Sequence, residues 1–196
     1  MTATTPPTIP AFTALSFNLN GAVSDPHRKL KWIYNNYVSN GKADILLFQE
    51  SRFHTLTDVR RAFWPYWGVL RGISMNPGGT SRGVIAWIPG DSCLKGLVED
   101  VASDPEGRWS LIRISAGPET IHLLNIYAPA KDTTTRESFF RDLGDKFTGY
   151  QNLIVAGDWN FVSRDLDNLN INGPHAPDPH PVAEAWLDNL ELVDTF

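Results

Sequence analysis

The segment Ala43 to Phe48, ADILLF, is an apolar run too short for a helix of ordinary length, and it stops at the polar pair Gln49-Glu50. A run of this kind reads as a strand covered on both faces, which requires other layers above and below it. Asn152 to Ala156, NLIVA, is a second such run and ends at Gly157-Asp158. From Phe12 to Leu19 a β-branched and aromatic stretch reads as a further strand, ending at Asn20-Gly21. Helical patterns lie between these strands. Leu30, Ile33 and Tyr37 recur at helical spacing within Arg28 to Asn40, and Gly41 stands where a helix closes. Thr55 to Asp58 is a capping box opening a short helix that Trp64-Pro65 ends. A second box, Thr134 with Glu137, opens a helix whose face carries Phe139, Phe140, Leu143, Phe147 and Tyr150. Val182 to Leu192 reads as a last helix.

Five short β-like runs occupy the middle of the chain: Gly68 to Arg71, Gly83 to Ile88, Gly96 to Ala102, Trp109 to Ser115 and Thr120 to Tyr127. Gly, Pro and Asp clusters separate them, the pattern of antiparallel hairpins. Helices interleaved with doubly buried strands, plus hairpins, predict an α/β fold of sheets covered by helices. A length of 196 residues fits one domain. Residues 1–10, rich in Thr and Pro, are expected to be a flexible leader, which leaves 11–196 as the domain. The last residues, Val193 to Phe196, form a β-like run with no turn signal behind them, the expectation for a domain incompletely captured.

Composition narrows the function classes. Seventeen basic against 22 acidic residues give a formal charge of −5, so a nucleic-acid partner needs a local basic patch or a metal ion. Cys93 is the only cysteine, which excludes an internal disulfide and any multi-cysteine zinc or iron–sulfur site within the chain. No membrane-spanning run and no secretion signal are present, so a soluble, unexported, intracellular protein is expected, with a nuclear location left open.

Three of the predicted strands deliver polar groups at their ends: Asn18 and Asn20, Gln49 and Glu50, Asp158 and Asn160. Strands converging at one sheet edge would gather these groups. Two carboxylates and several amide oxygens form a hard oxygen set, suited to Mg²⁺ or Mn²⁺. Such sparse protein ligation is completed by water and a phosphate-bearing substrate.

The segments Ser16-Phe17-Asn18-Leu19-Asn20-Gly21, Leu47-Phe48-Gln49-Glu50, Asn125-Ile126-Tyr127-Ala128-Pro129 and Gly157-Asp158-Trp159-Asn160 occur in this order. Together they resemble the endonuclease/exonuclease/phosphatase superfamily, and most of all the apurinic/apyrimidinic-like endonuclease domain of non-LTR retrotransposons. The resemblance covers Phe12 to Phe196. It implies a four-layered α/β sandwich of the DNase I-like type, C-terminally truncated, that hydrolyses phosphodiesters with Mg²⁺ or Mn²⁺ and contacts the DNA backbone. By resemblance, Glu50 is the main metal ligand, with Asn20 and Asp167 as further members of the metal site. Asn18 lies against metal and phosphate, Tyr127 donates a hydrogen bond to the scissile phosphate, Asp158 orients or deprotonates the attacking water, and Asn160 holds that water or a phosphate oxygen. The family's general acid/base is a histidine in a Ser-Asp-His motif on a later strand. His27, His54, His122, His175 and His180 all stand in other contexts, so that segment has no counterpart here.

Plainer readings exist for each group. Asn18 and Asn20 could satisfy a turn, Glu50 could be a solvated charge, and Tyr127 could be a packed aromatic at a strand end. His175 and His180 around Asp178 read as an exposed loop, not a second metal site. Arg52, Arg82, Lys131 and Arg164 stand beside the inferred site as candidate backbone contacts, with scattered surface charge as the default. The seven tryptophans read mostly as core. Two other functions stay open: a non-catalytic remnant or binding module, and a hydrolase of lipid or sugar phosphates.

Overall fold

The computed structural model describes residues 7–20, 26–77, 81–130, 132–161 and 181–190, the side chains of Pro26 and His27 excepted. The described residues form eight strands in two four-stranded sheets, with helices between them. The first sheet has the order β1-β2-β4-β3, from β1 (Ala14–Asn18), β2 (Ile45–Gln49), β3 (Gly68–Ser74) and β4 (Val84–Pro89). β1 and β2 are parallel, while β4 is antiparallel to both β2 and β3. The second sheet has the order β5-β6-β7-β8, from β5 (Val98–Ser103), β6 (Trp109–Ala116), β7 (Glu119–Tyr127) and β8 (Leu153–Asp158). Its first three strands form an antiparallel meander, and β7 and β8 are parallel. Both sheets are therefore mixed, as an α/β chain with central hairpins predicts.

All five residues of β2 are buried, and their alternation explains why. Leu46 and Phe48 pack with Leu30 and Ile33 of α1 (Pro26–Ile33) and with Val59, Ala62 and Phe63 of α2 (Leu56–Phe63). Ile45 and Leu47 point the other way and pack with Ile112, Ile114 and Leu123 of the second sheet. A helix layer, a sheet and a second sheet thus follow from the period of two along one strand.

Several local expectations are revised. The first helix does not continue regularly to Asn40: after Ile33 it passes into a π-helical turn, Tyr34–Val38, with the Ser39 amide donating to the Tyr34 carbonyl at 2.9 Å. The wider turn aligns Ile33 and Val38, five residues apart, so that both are buried. Gly41 closes it with φ +67°, as its position suggested. α2 starts as predicted, with the Asp58 amide donating to the Thr55 hydroxyl at 3.1 Å. In α3 (Thr133–Phe147) the cap is Asp132, not Thr134: its carboxylate accepts from the Thr134 amide at 3.1 Å and also from the Thr135 hydroxyl. A charged acceptor there outcompetes the hydroxyl. Ile9, inside the segment read as a leader, packs on the core shared by the two sheets, and its amide donates to Glu119 at 2.8 Å.

The tryptophans divide. Trp87 and Trp186 are core, but Trp32, Trp64 and Trp67 are 54%, 87% and 67% exposed, against the expectation that most would be buried. Trp64 and Trp67 flank the turn between α2 and β3, where Lys95 Nζ lies 4.4 Å from the centre of the Trp67 ring.

Two compact units are distinguishable. The first comprises Met1–Tyr127 and Gln151–Asp158, and the second Ala128–Tyr150 and Trp159–Phe196. The second is organised around aromatic contacts: Phe140 of α3 stacks on Trp159 at 5.8 Å and meets Trp186 of α4 (Pro181–Asn189) at 5.7 Å. Among the described residues, no helix is long and apolar enough to cross a membrane.

Candidate active site

Strand register brings the predicted polar groups of the first unit together. Asn18 is opposite Gln49 at the ends of parallel β1 and β2, and Tyr127 is opposite Asp158 at the ends of parallel β7 and β8. Asn18 Nδ2 then donates to Asp158 Oδ2 at 2.5 Å, a direct link between the edges of the two sheets. Asn18 also takes its turn role: Oδ1 accepts from the Asn20 amide at 2.6 Å, and Asn20 has φ +45° with an exposed side chain. Lys29 caps this corner by donating to the carbonyls of Leu19 and Asn18.

Beneath the edge runs a buried amide clasp. Gln49 is 1% exposed and donates through Nε2 to Asn125 Oδ1 at 2.7 Å and Ser16 Oγ at 3.0 Å. Asn125, equally buried, donates to the carbonyls of Phe48 and Ile85 at 3.2 and 3.4 Å. The clasp joins β1, β2, β4 and β7, and its members Ser16, Gln49 and Asn125 precede Asn18, Glu50 and Tyr127 by one or two residues. Buried amides of this kind are costly unless fully bonded, and here the bonding fixes where the next side chains emerge.

Glu50 leaves β2 with φ +52°. Its carboxylate Oε1 lies 2.5 Å from Arg52 Nη2, and the side chains of Glu50 and Arg52 are 13% and 31% exposed. The backbone of this loop is held by the segment before β4, through bonds from the Ser51 amide to the Gly83 carbonyl at 3.0 Å and from the Arg52 amide to the Arg82 carbonyl at 2.9 Å. Gly83 is required there: φ is +101°, and a Cβ would stand 2.4 Å from Ser51 Oγ.

Tyr127 lies within the field of both Glu50 and Asp158. Burial pushes its phenol pKa up, and the Glu50 charge, a hydrogen bond with Glu50 and the Asp158 charge push it further, against an opposing pull from Arg108. The Arg108 guanidinium lies over the Tyr127 ring, 5.2 Å from its centre, and donates to the Tyr127 carbonyl at 3.3 Å. Burial and then Arg82 draw Arg108 below the usual guanidinium value. Arg82 in turn pairs with Glu106 at 2.6 Å. The site thus joins two carboxylates, Glu50 and Asp158, with three guanidinium groups, Arg52, Arg82 and Arg108, of which Arg52 lies directly on Glu50. Arg108 is a site residue that sequence reasoning missed. Its only signal is the turn Asp104 to Gly107 before β6, which ties the Arg108 amide to Asp104 at 2.8 Å.

Asn160 belongs to the second unit and is firmly tied there. Its Nδ2 donates to the Ala128 carbonyl at 2.7 Å, and its own carbonyl accepts from Arg136 at 2.7 Å. Arg136, 3% exposed on α3, also donates to the carbonyls of Pro129 and Ala130 at 3.3 and 3.2 Å. It anchors the loops carrying Asn160 and the Ala128-Pro129 motif and was not recognised from the sequence. Asp167, Lys131, Arg164, His175, Asp178 and His180 lie outside the described residues.

Among the described residues, no group of three His, Cys, Asp or Glu side chains converges as a closed metal cage. The donor chemistry fits a sparser arrangement. Glu50, little exposed and already in contact with one cation, shares Tyr127 with Asp158, and one or two carboxylates are the usual protein share of a Mg²⁺ site completed by water and phosphate. Asn18 Oδ1 is engaged by its own turn.

No family model matches the chain, and no curated protein matches it. Solved structures do. An AP endonuclease from Archaeoglobus fulgidus superposes with a TM-score of 0.61 at 21% identity, over 90% of this chain and 69% of the other. The endonuclease domain of TRAS1, a telomere-specific non-LTR retrotransposon, gives 0.60 at 17% identity, over 94% and 73%. The 3′ phosphatase NExo from Neisseria, solved with a product DNA hairpin, gives 0.56 at 17% identity, over 92% and 70%. Two mixed sheets, helices between their strands and these structural likenesses show that the chain has a DNase I-like α/β fold.

Proposed function

We propose that this chain carries a Mg²⁺- or Mn²⁺-dependent phosphodiester hydrolase site that acts on DNA, as a nicking endonuclease module of retroelement type. The observation that supports it most is the meeting of Asn18, Glu50, Tyr127 and Asp158 at the ends of four strands from two sheets. The likeness to AP endonucleases and to a retrotransposon endonuclease domain, and a neighbour solved with product DNA, support the substrate class.

In this reading Glu50 holds the cation, with Asn20 and Asp167 as further candidates. A bound divalent ion supplies positive charge where the phosphorane charge develops. Tyr127, kept protonated by burial and by its acidic neighbours, turns its hydroxyl from Glu50 to donate a hydrogen bond to a non-bridging phosphate oxygen. Asp158 accepts from the attacking water and takes its proton, while the Asn18 amide on Oδ2 fixes the orientation of the carboxylate. Asn160 orients the water or an adjacent phosphate oxygen. Arg52, Arg82 and Arg108 supply the local positive charge that an acidic chain needs to approach DNA.

The test is relaxation of supercoiled plasmid with Mg²⁺ or Mn²⁺. Nicking that Glu50→Gln and Asp158→Asn each lower by about 100-fold or more is expected. Undiminished nicking by either variant rejects the assignment of the site. Metal-dependent DNA binding with no nicking by the parent sequence rejects catalysis and leaves a binding module.

A further inference from the structure

The Arg52–Glu50 pair has features unlike a structural clamp. The contact uses one guanidinium nitrogen, Nη2, on one carboxylate oxygen, Oε1, at 2.5 Å. A built arginine–carboxylate site is commonly bidentate, with the guanidinium edge fully used. Here Arg52 Nε is buried and has no hydrogen-bond partner. The two residues lie on either side of Ser51, both at positive φ, +52° and +54°, a backbone conformation unfavourable for non-glycine residues. That loop is pinned by the bonds from Ser51 and Arg52 to Gly83 and Arg82, so the juxtaposition is imposed by the backbone. Among the described residues, Arg52 is the cation in direct contact with Glu50.

We infer that Arg52 is a resident counter-ion that occupies Glu50 in the metal-free protein and must be displaced before a divalent cation can bind there. The inference rests on the reading of Glu50 as the metal carboxylate and adds a control to it. A carboxylate that is 13% exposed is poorly tolerated without compensating charge, and Arg52 supplies that charge until a stronger cation arrives. A divalent ion on this carboxylate stands beside the guanidinium charge, and like-charge repulsion sets the two states against each other, so the apparent metal affinity is reduced by the fraction of time the ion pair is formed. A pair formed about nine times in ten lowers that affinity about tenfold.

The experiment titrates Mn²⁺ alone into the full chain, without DNA, and follows free Mn²⁺ by electron paramagnetic resonance. Parent, Arg52→Gln, Arg52→Lys and Glu50→Gln proteins are compared, with circular dichroism confirming that each is folded. Arg52→Gln is expected to bind Mn²⁺ about tenfold more tightly than the parent. Arg52→Lys, which keeps the charge, is expected to stay within about threefold of it. Glu50→Gln is expected to lose the site. Equal or weaker Mn²⁺ binding by Arg52→Gln, with binding still lost in Glu50→Gln, overturns the counter-ion role and leaves the proposed metal site standing. Binding that survives Glu50→Gln, or no binding by any of the four, overturns both.

Discussion

Two ion pairs of equal length stand in unlike surroundings. Arg52–Glu50 and Arg113–Glu99 both measure 2.5 Å, yet the first joins side chains that are 31% and 13% exposed and the second joins side chains at 46% and 60%. Arg113 and Glu99 face each other across β5 and β6 in register, where five of the six β5 residues are exposed. Water and salt screen that pair, and it blunts an edge strand. The other pair follows a strand buried at all five positions and sits over the amide clasp. Distance alone does not rank them. What differs is how far each carboxylate has been removed from solvent, and so how strongly it needs a cation.

The comparison can be sharpened from its foundation outward. Replacing Asn125 with Leu removes the acceptor of Gln49 and leaves its amide buried, which is expected to cost about 2–3 kcal/mol in urea unfolding. The Gln49→Leu/Asn125→Leu double variant should cost less than the sum of the two singles, because the second change removes the group that the first leaves unpaired. Strict additivity would mean that the clasp does not act as a unit. The next effect is smaller. Glu50→Gln should destabilise by about 1 kcal/mol through an uncompensated, partly buried Arg52, whereas Glu99→Gln should change stability by less than about 0.5 kcal/mol. Equal effects from the two would erase the distinction between the pairs.

The smallest effect is a titration. Tyr127 has its pKa raised above the ordinary value of 10.0, so the folded protein releases that proton later than the unfolded chain does. The associated stability is fully present below pH ~10 and falls as pH rises through the folded value. Phe at position 127 should flatten this alkaline decline. An alkaline decline that is unchanged in Tyr127→Phe would contradict its placement against Glu50.

Much of this was legible in the residues because single strands carry their own environment. ADILLF announces cover on both faces, and Asn-Gly, Gln-Glu and Gly-Asp at strand ends announce a shared edge. The π turn at Tyr34–Val38 was not legible, since it follows from which side chains the tertiary core accepts. Nor was the cap at Asp132, where two acceptors three residues or less from one another compete for the same amides. Arg52 was read as a candidate DNA contact, but not as the partner of Glu50. That pairing depends on two loops bonded to each other, 30 residues apart in sequence from Arg52 to Arg82, which no local pattern encodes. The exposed Trp64 and Trp67 teach the converse lesson: an apolar neighbourhood in sequence, WPYW, does not put a ring inside when it forms a turn.

The amide clasp bears on how the molecule is made. Gln49 and Asn125 are 76 positions apart, and Asn18 reaches Asp158 across 140. At synthesis rates of roughly 5–20 residues per second, several seconds separate the emergence of the first of these partners from that of the last. A nascent chain can therefore form its opening helices and hairpins well before these strand ends meet, and the proposed site is complete only when β8 docks beside β7.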